Sequence, residues 1–376
     1  MCFGPIFVAP RRVCLTKGDS EPRCVYHGRC RHRWHGEEQL VVDYRTVCHP
    51  GKQSLSGAFE TIRPRLDLVE RFIAEQVANG PQAVQEAGGY VLAGGGKRLR
   101  PALLLTVARM LGATGELDVA YAAVIEMVHT ATLVHDDIID HAAVRRGRVT
   151  ASSRWGNQLG VLLGDWLYIR SMEIALELGQ LPIMRVLSRA TVEMVEGEIL
   201  GLGLKGRSDV SRDQYLEIVR RKTAELFSAA CSVPACFSPA AEPWRSALAT
   251  YGRSLGICFQ IVDDILDVTG SEEELGKPVF SDLREGKLTL PFITLLPHLS
   301  ASQRRAVERV IRKGQFGDVS PDELRQWLED SGAIGETRAV AESFGHRAVD
   351  ALQPLPRSAE WESLAEAPQF VLHRAS

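Results

Sequence analysis

From about Gly57 onward, apolar residues recur every three or four positions along 57–79, 99–112, 116–141, 153–178, 182–201, 211–237, 244–269, 302–313, 321–331 and 334–352. That period sets them on one face of a helix. No stretch alternates with a period of two for long enough to predict a strand. Punctuation falls between the segments, at Gly94-Gly95-Gly96, Gly147, Gly201 to Gly206, Pro239, Gly276 to Pro278 and Pro354. Several segments are long enough to enclose a site inside a large bundle. The pattern predicts an all-α, single-domain fold over residues 53–376.

Residues 1–52 follow a different rule. Arg11, Arg12, Lys17, Arg23, Arg29, Arg31 and Arg33 face only Asp19 and Glu21 in the first 36 residues, with no helical or strand period. This stretch reads as a disordered or mis-started extension. An Arg-rich transit-like peptide and a small zinc site on Cys24, His27, Cys30 and His32 or His35 are the other readings, and no function is placed there.

Composition narrows the class. With 44 Lys+Arg against 47 Asp+Glu the net charge is −3, so no global field draws the chain to nucleic acid. The longest apolar runs are interrupted by Glu126, His129 or Asp165, which predicts no membrane span. Cys2, Cys14, Cys24, Cys30 and Cys48 cluster near the start, while Cys231, Cys236 and Cys258 sit in apolar helical sequence. Without a Cys-x-x-Cys pair or a secretory segment, the expectation is a reducing, cytoplasmic compartment.

The chemistry lies in two aspartate clusters. Asp136-Asp137-Ile138-Ile139-Asp140 ends one long helical segment, and Asp263-Asp264-Ile265-Leu266-Asp267 ends another. In each, the first and last Asp are four apart, one turn apart on a shared face. Like charges so placed repel, and a cation between them offsets the cost. Hard oxygen ligands without Cys or His point to Mg²⁺, which takes one or two carboxylates together with substrate phosphates. Gly94-Gly95-Gly96-Lys97-Arg98-Leu99-Arg100-Pro101 joins a glycine turn to three cations at a helix start, a combination suited to a diphosphate. Arg145-Arg146-Gly147 follows the first cluster, Lys222-Thr223 and Gln260 add polar groups on other helices, and Lys277 and Lys287 follow the second cluster.

Taken together, Gly95 to Pro101, His129 to Asp140, Arg145-Arg146-Gly147, Lys222-Thr223 and Phe259 to Asp267 resemble the trans-isoprenyl diphosphate synthases, the polyprenyl synthetases. The resemblance covers about residues 57–350. It implies an isoprenoid-synthase helical bundle around a deep central cavity, as a homodimer, with three Mg²⁺ per active site. It makes Lys97, Arg100, His129 and Arg146 the isopentenyl diphosphate site. Asp136, Asp140 and Asp263 become the main metal ligands, supported by Asp137, Asp264 and Asp267. Arg145, Lys222, Thr223, Gln260, Lys277 and Lys287 become the grip on an allylic diphosphate such as farnesyl or geranylgeranyl diphosphate. Catalysis then falls to Asp136, Asp140, Asp263, Lys222 and Arg145.

Short-chain members of that family carry bulky aromatic residues just before the first cluster, where this chain has Ala131 and Thr132, with Val128 a turn further down. An open floor of this kind implies a hexaprenyl to decaprenyl product, of the sort used for quinone side chains, delivered toward a membrane. A terpene cyclase would lack the Gly95–Pro101 and Arg145-Arg146 sites, a metal phosphohydrolase would need further His ligands, and a non-catalytic subunit would have lost metal carboxylates. Replacing Ala131 with Phe is expected to shorten the product.

Overall fold

A computed structural model describes residues 57–376, apart from 114, 238, 272–277, 318 and 376. The seven N-terminal basic residues, Cys2 to Cys48 and Lys277 therefore lie outside the described residues. The described chain is helical almost throughout. A 3₁₀ turn, Gly57–Ile62, leads into α1 (Arg63–Ala78), α2 (Gln82–Leu92), α3 (Leu99–Met110) and α4 (Glu116–Ile139). A two-residue hairpin follows, β1 (Val144–Arg145) against β2 (Arg148–Val149), antiparallel with Arg145 opposite Arg148. Then come α5 (Ala151–Trp155), α6 (Asn157–Glu177), α7 (Leu181–Leu204), α8 (Arg212–Val219), a π turn over Arg220–Ala224, α9 (Glu225–Ser232) and α10 (Arg245–Thr269). Shorter helices and the helices 301–313, 321–330, 333–351 and 359–372 complete the chain.

The core is built around α3 and α4. From Ala120 to Val128 α4 is buried on every side, and so is α3 from Ala102 to Ala108. A helix that is apolar all round can only sit inside others. α4 packs on α1, α3 and α6, while α10 packs on α9 and on the helix 333–351. By length and composition α4 could also cross a membrane, but 72% of its most apolar window is buried within the fold. Towards its C-terminal end the burial becomes one-sided: His129, Thr132, Leu133, Asp136 and Asp140 are only half-buried. That is the face on which the chemistry collects.

Helix starts follow local rules. Ser211, Ser300 and Ser320 each accept a hydrogen bond from the backbone N–H three residues on, and Gln214, Gln303 and Glu323 return it, forming capping boxes. Gly156, at φ +88°, separates α5 from α6 and divides the single helix expected over 153–178. Two helices were not legible from periodicity. The 82–92 segment carries Gly88-Gly89 in its interior, and 359–372 carries Pro368; both weaken intrinsic helix preference, and tertiary packing overrides it.

The segment expected as one helix over 211–237 is instead α8, the π turn and α9. The turn fits because glycines let two helices close on it. A Cβ on Gly197 of α7 would come within 2.6 Å of the Lys222 backbone nitrogen, and one on Gly256 of α10 within 2.7 Å of Ala224 Cα. A Cβ on Gly252 would likewise clash with the Phe227 carbonyl. Backbone cannot retreat as a flexible side-chain tip can.

Outward, α6 and α7 leave an apolar face. Leu162, Ile169 and Leu176 recur every seven residues on α6 at 64, 64 and 62% exposure. Val192, Val195, Ile199 and Leu202 continue the face on neighbouring α7. The glycine contacts give one stability prediction: Gly256→Ala should cost about 1–3 kcal/mol through overpacking, read as a lower urea midpoint with an unchanged slope.

Candidate active site

The first cluster sits at the C-terminal end of α4, where the helix dipole is already negative. Each carboxylate has a cation. Asp136 faces Lys222 Nζ at 3.6 Å, Asp137 accepts a hydrogen bond from Arg145 Nε, and Asp140 Oδ2 accepts one from Lys287 Nζ at 2.7 Å. Lys222 is shared with Glu198, and Lys287 with Glu285. Burial pushes the Asp136 and Asp137 carboxyls up, and Lys222 and Arg145 oppose that shift. Burial disfavours the charge on Lys222 as well, but Asp136 and Glu198 outweigh it and hold the ammonium above its usual range. The other oxygen of Asp140, Oδ1, is buried and accepts no hydrogen bond.

Lys222 owes its place to the π turn, a distortion that recurs at functional sites. Its neighbours are held away from the site by ion pairs: Arg220 by Glu193, Glu217 and Glu225, and Arg221 by Glu193, Glu196 and Glu217. Lys222 and Thr223 are left facing inward, and Thr223 Oγ1 donates to Gln260 Oε1 at 2.9 Å.

In the second cluster the three aspartates differ. Asp263 is the most open, with 35% of its side chain exposed, and pairs with Arg374 at 2.9 Å. Asp264 is buried, accepting from Tyr215 at 2.6 Å and from Gln260 at 2.8 Å. Asp267 is buried too, and its Oδ2 accepts from the backbone N–H of Asp282 at 3.2 Å, which ties down the segment after α10. Burial and the nearby Asp282 push the Asp264 carboxyl well above the usual carboxylate range.

Among the described residues, no three His, Cys, Asp or Glu side chains converge into a ready cage for a metal. The donor set nonetheless fits a hard cation. It consists of oxygens alone, includes the unfilled buried Oδ1 of Asp140, and matches the usual Mg²⁺ habit of one or two carboxylates completed by phosphate and water.

A second group of charges has the opposite character. Gly95 takes φ +65° and Arg98 φ +46° in the loop before α3. Arg98 is spent on Glu70 and Glu126 and so anchors the loop. Arg146, at φ +52° in the hairpin turn, donates to the Gly95 carbonyl and closes the loop from the other side. The hairpin is held in turn by Tyr90, whose hydroxyl donates to the Val149 carbonyl at 2.8 Å. Arg100 is half-buried, its guanidinium 4.4 Å above the Phe227 ring, and its buried Nε has no hydrogen-bond partner.

Burial, then mutual repulsion, pushes every proton affinity in this group down: Lys97 to about 8, Arg100 to about 10, Arg146 below its usual value and His129 well below. Lys97 and Arg100 are half-buried and Arg146 is exposed, and cations clustered in this way suit an anion.

One of the helices beyond residue 300 also reaches the site. The 359–372 helix ends in a turn that brings Arg374 to Asp263, with its guanidinium 5.1 Å above the Phe259 ring, and after burial it is the largest influence depressing Lys97. No motif marks it; an arginine near a chain end carries no signal without the fold. Of the three floor residues, Val128 and Ala131 are buried in packing at 1 and 2% exposure. Thr132, half-buried, shares the face of His129 and Asp136, and its hydroxyl donates to the His129 carbonyl at 2.8 Å. Beside Lys222, Thr223, Gln260 and Lys287 a cleft of about 180 Å³ opens between α7, α8 and the segment 282–289.

Residues 81–328 match the polyprenyl synthetase family model. The octaprenyl diphosphate synthase of Escherichia coli is 36% identical over 306 residues, 81% of this chain and 94% of that one. Among solved structures, a polyprenyl synthase from Caulobacter crescentus, complexed with calcium and isoprenyl diphosphate, superposes with a TM-score of 0.80 at 34% identity, covering 85% of this chain and 97% of its own. A decaprenyl diphosphate synthase from Rhodobacter capsulatus gives 0.79 at 36% identity, covering 85% of this chain and 98% of its own. The chain belongs to the polyprenyl synthetase family and is a prenyl-transferring enzyme with the all-α isoprenoid-synthase fold.

The depressed Lys97 gives a pH dependence. Lys97 is charged below about 8 and neutral above it, so the affinity for an alkyl diphosphate should fall as pH rises through about 8. Binding there should take up a proton. Calorimetry in two buffers of different ionisation enthalpy reads both effects, and Lys97→Arg should flatten the profile.

Proposed function

We propose that this enzyme joins isopentenyl diphosphate head to tail with an allylic diphosphate, farnesyl or geranylgeranyl diphosphate, and repeats the step to a hexaprenyl to decaprenyl all-trans product. The observation that carries this reading is a pair of unlike charge sites along the half-buried face of α4, carboxylates at Asp136 and Asp140 and cations from other elements around His129. The compensated carboxylate cluster at Asp136 and Asp140 suits a diphosphate that arrives with cations. The uncompensated cations Lys97, Arg100 and Arg146, beside His129, suit a diphosphate that arrives without them. Asp136 and His129 are seven residues apart, about 10 Å along α4, a spacing that sets two diphosphates on either side of a five-carbon unit.

Each residue then has a part in the reaction. Lys222, Arg145, Thr223, Gln260 and Lys287, with Lys277 expected beside them, hold the allylic diphosphate. Their charge meets the negative charge that grows as the allylic C–O bond breaks, so it lowers the barrier without reorienting water. Mg²⁺ held by Asp136, Asp140 and Asp263, with Asp137, Asp264 and Asp267 in support, would neutralise the same leaving group. Lys97, Arg100 and Arg146 hold isopentenyl diphosphate with its double bond beside the allylic cation, and the new C–C bond forms there by proximity. His129, kept neutral by burial and by its cationic neighbours, offers a hydrogen bond and no charge. The proton released in restoring the double bond goes to the departing diphosphate, so no side chain serves as a general base.

The exposed stripe of Leu162, Ile169, Val195 and Ile199 supports a homodimer formed through α6 and α7. The enzyme acts in the cytoplasm, beside the membrane that receives its apolar product. A geranylgeranyl-length product is the second reading, favoured by the burial of Val128 and Ala131 within packing.

Incubating the purified protein with isopentenyl diphosphate, farnesyl diphosphate and Mg²⁺ should give a ladder of products that mass spectrometry ends between hexaprenyl and decaprenyl. A stop at geranylgeranyl supports the second reading, and no elongation overturns the function. Thr132→Phe should shorten the product with the initial condensation retained; Thr132 is the better site for this test, because a Phe at position 131 would also disrupt packing. Ile169→Arg should convert the dimer to monomer in light scattering.

A further inference from the structure

Asp264 belongs to a cluster of metal-binding type, yet its two oxygens are occupied by protein donors. Tyr215, on α8 and 5% exposed, donates to Oδ2, and Gln260 Nε2 donates to Oδ1. Gln260 Oε1 accepts in turn from Thr223. Tyr215, Asp264, Gln260 and Thr223 thus form one chain of hydrogen bonds of 2.6, 2.8 and 2.9 Å, running from α8 through α10 to the π turn. All four residues line the cleft beside Lys222, Tyr215 from α8.

Direction matters in this chain. A glutamine amide has one acceptor oxygen and an NH₂ with two donors. Asp264 takes one Nε2 hydrogen and Thr223 fills the oxygen, so the remaining group that Gln260 can offer an anion is its second N–H. With the amide turned over, its carbonyl oxygen would replace that donor and repel a diphosphate. The orientation follows from Asp264 Oδ1, which accepts from Gln260 Nε2, and Asp264 is itself fixed by the tyrosine hydroxyl on its other oxygen.

We propose that Tyr215 is a positioning residue for the allylic diphosphate: by fixing Asp264 it sets the Gln260 amide with a donor facing the substrate. Tyr215 touches neither substrate nor metal in this scheme. The inference rests on the assignment of the Lys222–Gln260 side to the allylic diphosphate.

The test is Tyr215→Phe, which keeps the ring and removes the hydroxyl. A lost hydrogen bond to a charged or strongly polar partner corresponds to about a tenfold change in affinity. The KM for the allylic diphosphate should therefore rise about tenfold, while the KM for isopentenyl diphosphate, bound at Lys97 and Arg100, stays put. Calorimetric binding of an unreactive allylic thiolodiphosphate should weaken by the same factor. Asp264→Asn, close in shape, should raise the allylic KM on its own, and adding Tyr215→Phe to it should have no further effect, since both act through one carboxylate.

If both KM values are unchanged, or if kcat falls alone in step with a lower Tm, the role is structural and the proposal is overturned. Additive effects in the double variant overturn it as well. A wild-type protein that neither binds nor elongates the allylic substrate would instead defeat the assignment on which the inference stands.

Discussion

The arrangement of this protein depends on how it compensates buried charge. Two long helices, α4 and α10, end in aspartates where the helix dipole is already negative. Such ends are unstable unless cations reach them, and the chain supplies those cations from distant segments. Lys222 comes from the π turn, Arg145 from the hairpin, Lys287 from the segment after α10 and Arg374 from the last turn. Each pair ties a loop or helix to the site, so the requirement for neutrality and the geometry of the bundle reinforce each other. Lys97, Arg100 and Arg146 form no ion pair of this kind among the described residues, and the two groups differ in character for that reason.

Placing these groups depends on backbone as much as on charge. The π turn presents Lys222 and Thr223 inward because Gly197 and Gly256 allow α7 and α10 to close on it, while glutamates draw Arg220 and Arg221 to the outside. Arg98 and Arg146 adopt left-handed backbone that most residues avoid, and each is held there by hydrogen bonds to a neighbouring element. In both places a run of consecutive cations is sorted residue by residue: Arg98, Arg220 and Arg221 are held by glutamates, while Lys97 and Thr223 are not. Arg98 and Lys97 are adjacent in sequence and do different work for this reason.

Much of this was legible before the fold was known. The apolar period of three and four residues gave the helical class. Spacing of four between aspartates placed carboxylates on one face of a helix, a purely local property. What periodicity missed were elements whose stability comes from tertiary packing: the helices at 82–92 and 359–372, with glycine or proline inside them, and the π turn, whose residues read as one continuous helix over 211–237.

The sequence by itself determined the helices, the two acidic faces and the kind of ligand they suit, because these follow from residue type and short-range spacing. Only the tertiary structure decided which aspartates stay open, since that depends on partners far along the chain. Asp263 remains half-open, while Tyr215 and Gln260 take up Asp264 and the Asp282 backbone takes up Asp267. It also decided that Ala131 and Val128 are packed while Thr132 faces the site, because burial depends on which helix covers which face. Arg374 is the clearest case: its role comes from the place where a distant helix ends, and position in space is a property that spacing along a chain does not carry.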